Sequence, residues 1–301
     1  MCERPERRPL ALALLIVGLA SASPLALADQ APIPTTKEAL DQEYAKLAWH
    51  GEAADYPLAT SKSKIHLPAG LQILTGPDAA RYVFLNNGIE FPGTEAVLFD
   101  PESNAEVDFD YTDDGYIADQ DWSDIDPDEF LKSMQEGARE SNDERIRNGK
   151  SAIEVVGWLQ KPTYDAATHT ASYALELSDQ DGHWVNAVSL RLGRGGHHEV
   201  TWIGPIDTFK SAAGPKLLNT ALAAHEYDPG NRYADFKQGD KVASYGVAGL
   251  VAAALGIKFG KGLIAAAIAF LAIAGKKVAI IAVPVIAVAG AKIKRMFGRN
   301  T

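Results

Sequence analysis

AIEVVGWL (Ala152–Leu159), TASYALEL (Thr170–Leu177), VNAVSLRL (Val185–Leu192) and HEVTW (His198–Trp202) are the four runs that decide the fold of this chain. Each is short, rich in β-branched, aromatic and aliphatic residues, and bounded by turn formers. The links between them are Lys161–Ala167, Ser178–Gly182 and Gly193–Gly196. Links this short suit antiparallel neighbours, because a parallel connection needs a crossover of a dozen or more residues. Four such runs in succession predict a meander.

Working outward, Glu106–Tyr111 alternates. Val107, Phe109 and Tyr111 share one face and Asp108 and Asp110 the other, as in a strand with one side turned inward. Ala96–Phe99 is a second strand, and Ile65–Leu67 and Leu71–Leu74 are extended pieces broken by Pro68-Ala69-Gly70. Asp113-Asp114-Gly115 has hairpin-turn chemistry, which predicts that Tyr116–Ala118 returns beside the strand. Helices are expected over Lys37–Ala48, capped by Thr36, and over Asp78–Leu85, ending at Asn86-Asn87-Gly88. The strongest helix starts at Asp126-Pro127-Asp128-Glu129 and runs to about Arg147: Asp126 caps it, Pro127 takes the first helical position, and acids fill the first turn. Leu217–Ala224 forms another helix, followed by the turn Asp228-Pro229-Gly230-Asn231. The expected class is α+β: an antiparallel sheet (meander) with flanking helices on one face, followed by a C-terminal apolar helical membrane anchor.

Charge divides the chain. The total is −10, with +1 on Met1–Ala28 and +9 on Lys241–Thr301, which leaves −20 for residues 29–240. A domain so acidic does not bind nucleic acid through its surface, because phosphate contacts need Lys and Arg. The start reads as a secretory signal: Arg4, Arg7 and Arg8, then the short apolar run Leu10–Leu19, then an Ala26-Leu27-Ala28 cleavage site. The single cysteine, Cys2, lies inside that signal, so the mature chain carries no disulfide and no thiol chemistry. The expected organisation is a signal over 1–28, an acidic extracytoplasmic domain over 29–240 and an anchor region over 241–301.

The last region holds three apolar pieces, Val242–Ile257, Gly262–Gly275 and Val278–Ala291, separated by lysines. Fourteen helical residues reach about 21 Å of a bilayer core of about 30 Å, and snorkelling lysines extend the usable length. The span is therefore placed within Leu263–Ala291, with Leu263, Phe270, Ile280 and Val285 as anchor residues. Val242–Ile257 is expected to lie on the membrane or beside the span. Lys292 and Arg295 mark the cytoplasmic end by the positive-inside rule. This places the chain in the inner membrane with its domain on the periplasmic side, the lipid bilayer as one partner and an envelope protein as another.

Several strings, taken in order, have a family likeness. They are Asp114-Gly115-Tyr116-Ile117, Ile125-Asp126-Pro127-Asp128, Asn142-Asp143-Glu144-Arg145, Val156-Gly157-Trp158, Pro162–His169, Leu192-Gly193-Arg194, Tyr233-Ala234-Asp235-Phe236 and Asp240-Lys241-Val242-Ala243. The chain resembles the uncharacterised family of predicted membrane-anchored bacterial proteins called domain of unknown function 2167. The resemblance runs from Trp49 into the tail and implies a membrane anchor. It implies no activity.

Candidate chemistry is sparse. Asp110, Thr112 and Asp114 with Gly115, Ile117 and Asp121 follow the spacing of an EF-hand loop, which makes Asp110, Asp114 and Asp121 the Ca²⁺ candidates. The strand-like residues before Asp110 favour an acidic hairpin turn instead, and no cofactor is the first expectation. His197 and Glu199 could share a strand face as metal ligands, but His197-His198 reads better as a polar turn. There is no G-x-S-x-G, and Gly193-Arg194-Gly195-Gly196 joins two strands rather than opening a helix, so it lacks the helix N-terminus that phosphate cradles use. Trp122, Trp158, Trp184, Trp202, Tyr164 and Tyr173 read as core or cross-strand aromatics. Arg145, Arg191 and Arg194 are expected in internal ion pairs. The first functional expectation is a membrane-anchored binding module. The alternative is an envelope hydrolase or metal-dependent enzyme drawing on His169, His183, His197, Asp165 and Asp119; whether the chain is an enzyme stays open at this point.

Overall fold

The computed structural model of the chain describes residues 31–87, 90–147, 151–211 and 213–254. Its centre is a seven-stranded antiparallel sheet. The strands are β3 (Gln72–Thr75), β4 (Thr94–Asp100), β5 (Ala105–Thr112), β6 (Glu154–Asp165), β7 (Thr170–Asp179), β8 (Gly182–Leu192) and β9 (His197–Pro205), in the order β3-β4-β5-β9-β8-β7-β6. The meander β6–β9 is thus joined edge to edge, through β9 and β5, to the upstream hairpin β4–β5. A smaller three-stranded sheet holds β1 (Asp55–Leu58), β2 (Ser63–His66) and β10 (His225–Tyr227).

Strands β4, β7 and β8 bury residues on both sides, so both faces of the sheet need cover. On one face Phe109, Val200 and Trp202 pack with Leu58 and Ile65 of the small sheet and with Leu217, Leu218 and Ala221 of α5 (Ala213–Ala224). Trp202 and Phe109 are fully buried there. On the other face Leu74 and Val97 pack with Ala79, Tyr82 and Val83 of α2 (Gly76–Asn87) and with Leu47, which follows α1 (Lys37–Lys46). At the β6 end of the sheet lies α3 (Pro127–Arg147). It is tied on by the Trp158 indole donating to the Pro127 carbonyl at 2.9 Å and by Asn142 bonding both backbone groups of Ile153 at 2.8 and 3.0 Å. Helices therefore cover two faces, not the single face expected. The Asp126 carboxylate accepts from the Asp128 and Glu129 amides, as the capping pattern predicts. The outer strand β6 is interrupted by register shifts at three places and carries Pro162, devices that discourage pairing with another chain.

Two further expectations change. Tyr116–Ala118 does not return beside β5. That strand edge is already taken by β9, and Tyr116 makes one parallel bridge to Val242 instead. His197 and His198 do not form a turn: they open β9 and are buried. Gly193–Gly196 alone closes the hairpin, with the Gly193 amide donating to the Gly196 carbonyl at 2.8 Å.

Beyond Asp240 the described chain stays with the domain. It ends in α6 (Val247–Ala254), which lies against the 3-10 turn Trp122–Asp124 with Val247, Leu250, Val251 and Ala252 buried. The expected signal and the anchor residues Leu263, Phe270, Ile280, Val285, Lys292 and Arg295 lie outside the described residues. Among the described residues no helix is long and apolar enough to cross a membrane.

Candidate functional site

The turns β6–β7 and β8–β9 and the end of β5 lie at one end of the sheet, because Thr112 pairs with His197 and Thr170 with Arg191. Across this end runs the loop 113–121. Gly115 donates to the Gly195 carbonyl at 2.9 Å, Tyr116 to Lys241 at 2.8 Å, Ala243 to Tyr116 at 2.9 Å and Val247 to Ala118 at 2.8 Å. The fit is close. A Cβ on Gly196 would stand 2.0 Å from the Thr112 carbonyl oxygen, and one on Gly246 would stand 2.3 Å from the Asp121 carboxylate. Asp121 accepts from the Ala248 amide and so supplies a cap for α6 from a distant part of the sequence.

Arg194 ties this layer together. Its guanidinium donates twice to Asp240, each bond 2.7 Å, and once to the Gly230 carbonyl at 2.9 Å. Arg194 holds the Asp240 carboxyl down to about 2. A planar fork against a carboxylate is the geometry at which Arg has no substitute.

Over the same end lies a row of rings. Phe236 stacks on Tyr116 at 4.1 Å, Tyr116 on Tyr233 at 4.6 Å and Tyr233 on His169 at 4.0 Å, with interplanar angles of 27 to 29°. Trp122 leans on Tyr164 at 5.3 Å. Between these rings Asp119 accepts from the Tyr164 hydroxyl at 2.6 Å and lies 3.4 Å from His169 Nδ1. Tyr164 is itself 3.3 Å from that nitrogen. Burial first, and the Asp119 carboxylate second, push the Tyr164 hydroxyl up, so it stays a donor at any physiological pH. The Tyr233 hydroxyl donates to the Ile117 carbonyl at 2.9 Å. His169 adopts a left-handed φ of 50°, which turns its ring back over Tyr233 at the tip of the β6–β7 turn.

The structure therefore brings Asp119 and His169 together and disperses the other candidates. Asp165 accepts from Ala167 and Thr168 within its own turn. His183 pairs with Glu176 at 2.8 Å on an exposed strand end. His197 faces Asp114 at 3.1 Å, outside good hydrogen-bond alignment. The three calcium candidates point to three places: Asp110 accepts from Thr94, Asp114 faces His197, and Asp121 caps α6. Among the described residues no group of three or more His, Cys, Asp or Glu converges as a metal site. Arg191 bonds the Leu222 carbonyl rather than an acid.

Two buried polar groupings were not visible in the sequence. One lies under the small sheet. Glu95 accepts from the Thr60 and Ser61 amides at 2.7 and 3.1 Å and from His198 Nε2 at 3.1 Å, while His198 Nδ1 meets the Tyr227 hydroxyl at 3.1 Å. His225 completes it through Ser63 at 3.0 Å, its Nδ1 buried without a partner. Burial lowers the proton affinity of both imidazoles, and for His198 the opposing pull of Glu95 does not outweigh it. The second grouping is on the opposite face, where β5 and β9 set Asp110 directly across from Glu199, with Asp108 two residues away. Burial pushes Asp110 up to about 6 and Glu199, with Asp110 adding repulsion, up to about 7. Asp108 rises well above the ordinary carboxylate value through burial first, then repulsion from Glu106 and Asp110. The strand alternation that revealed Asp108 and Asp110 as a polar face placed them in water; helices over both ends of that face partly enclose them.

No curated protein matches the chain. Among solved structures, the solution structure of cyanobacterial PsbP (CyanoP) from Synechocystis sp. PCC 6803 is similar at a TM-score of 0.36 and 12% identity, covering 59% of this chain and 95% of that one. A family model described as "Protein of unknown function (DUF2167)" matches residues 50–288, which takes in the whole loop end and its ring row. The chain belongs to that family, DUF2167.

Proposed function

We propose that the chain is a membrane-anchored, extracytoplasmic binding module of the bacterial envelope. The observation that carries this reading is the docking of residues 240–254 onto the loop end. The stretch leading into the apolar, basic tail is tied down by Arg194–Asp240, by the Tyr116–Val242 bridge and by the Asp121 cap. A tether meant to let a domain roam would have no such ties. Nine positions separate Ala254 from Leu263, at most about 30 Å of extended chain. On this reading the loop end is the part of the domain from which the sequence runs on into the apolar, basic tail.

Binding is favoured over catalysis because the groups that meet at the loop end are spent on each other. Asp119, Tyr164 and His169 close one hydrogen-bonded triangle under a stacked ring. The enzyme reading draws on the same triangle, since a carboxylate that orients an imidazole is a general-base arrangement. Two measurements test the proposal. The full chain should stay in the membrane fraction after an alkaline carbonate wash, and a chain ending at Ala254 should appear in the periplasmic fraction. Cross-linking in intact cells should then retain a defined envelope protein equally well for the wild type and for Asp119→Asn. Release of the full chain by the wash would overturn the anchor, and loss of the cellular function in Asp119→Asn with binding intact would favour the enzyme.

A further inference from the structure

We propose that the loop end of the domain rests on the lipid headgroups, with Phe236, Val242 and the Tyr116 ring as its contact patch. This rests on the anchored reading given above and names the surface that the anchor presents to the bilayer.

Phe236 and Val242 are among the most exposed large apolar residues, at 36% and 55%. They lie six positions apart on one segment that follows a 3-10 turn, and both sit against Tyr116 from a distant loop. Phe236 stacks on its ring at 4.1 Å and Val242 bridges its backbone. Behind them the row continues through Tyr233 and His169, with Tyr164 and Trp122 alongside. Tyr and Trp at a surface suit the headgroup level, where a ring lies in apolar surroundings and its polar atom in wet ones. The patch is also close in sequence to the apolar, basic tail: Val242 stands five positions before α6, which lies against the 3-10 turn that contains Trp122.

Charge agrees locally. Lys237 and Lys241 are exposed on the same segment as Phe236 and Val242, and Lys241 keeps most of its side chain in water while reaching Asp113. They offset the acidity of the domain where it comes nearest to lipid phosphate. An envelope protein or a second copy could cover the same patch; the exposed lysines beside it and the apolar, basic tail that continues the same segment favour lipid.

The test uses the full chain with its signal processed, which leaves no cysteine and permits single labels. Phe236→Cys and Val242→Cys carry an environment-sensitive dye, and Asp181→Cys, in the β7–β8 turn at the opposite end of the sheet, serves as control. Each is reconstituted in vesicles of phosphatidylethanolamine and phosphatidylglycerol containing headgroup spin-labelled lipid. Contact at the depth of an interfacial residue predicts roughly twofold or greater quenching at 236 and 242 and little at 181. Vesicle flotation of the protein without quenching at 236 and 242 overturns this inference while leaving the anchor standing. Failure to float overturns the anchor and this inference with it. Shielding of the dye that persists in lipid-free detergent and rises with protein concentration assigns the patch to a second copy and also overturns it.

Discussion

Replacing Glu199 by glutamine should make the protein more stable at alkaline pH and leave it unchanged in acid. Glu199 lies directly across from Asp110 on a partly enclosed sheet face, and its carboxyl is raised from 4.5 to about 7. In the unfolded chain the group ionises near 4.5. Between these values the folded state keeps the proton and the unfolded state releases it, so stability falls as the pH rises through that window. Taken from 4.5 to about 7, the rise corresponds to roughly 3 kcal/mol. Glutamine keeps an acceptor for the Thr201 hydroxyl, which lies 3.4 Å away, and never ionises. Urea unfolding followed by tryptophan fluorescence should show equal midpoints for the two proteins near pH 4.5 and a gain of about 1–3 kcal/mol for Glu199→Gln near pH 8. The difference between the two curves isolates this site from the histidines. A variant less stable than the wild type at pH 8, or a difference between the two curves that does not grow from pH 4.5 to pH 8, would refute the argument.

Other outcomes follow from the same structure. Gly196→Ala places a Cβ 2.0 Å from the Thr112 carbonyl oxygen and should destabilise by about 2–4 kcal/mol, read from the urea midpoint. Asp121→Ala removes the cap of α6 and should cost about 1 kcal/mol, with faster amide exchange at Ala248 than at residues of β8. His225 is buried with a lowered proton affinity, so below the ordinary histidine value of about 6.5 the unfolded chain binds the extra proton and stability falls with pH. His225→Gln should flatten that acid limb, and an unchanged limb would show that the ring is solvated.

The meander was legible because its four runs and three short links leave few other arrangements, and the Asp126-Pro127 helix start because capping chemistry is local. The pairing of β5 with β9 was not legible. It joins residues some ninety positions apart, and Asp113-Asp114-Gly115 offers a nearer partner that tertiary contacts override. His197-His198 looked like turn residues next to glycines, yet the turn needs only Gly193–Gly196, and the histidines then open β9 on opposite faces, His198 under the small sheet and His197 toward Asp114. That sheet was itself hard to foresee, since β1 and β10 are only four and three residues long and lack a periodic signal. At the loop end, Tyr116, Tyr164, His169, Tyr233 and Phe236 all occur in strings that carried the family likeness. Their assembly into one ring row depends on turns from three parts of the chain and was beyond any local pattern. Asp121, singled out as a calcium ligand by spacing, turned out to cap a helix that begins more than a hundred residues later.

The central claim, an extracytoplasmic domain held by the C-terminal tail, is tested most directly by protease added to intact spheroplasts of cells making the full chain with a tag after Thr301. The account predicts digestion of residues 31–254 with a protected tagged fragment left in the membrane. Full protection of the domain, or loss of the tag together with the domain, would contradict it.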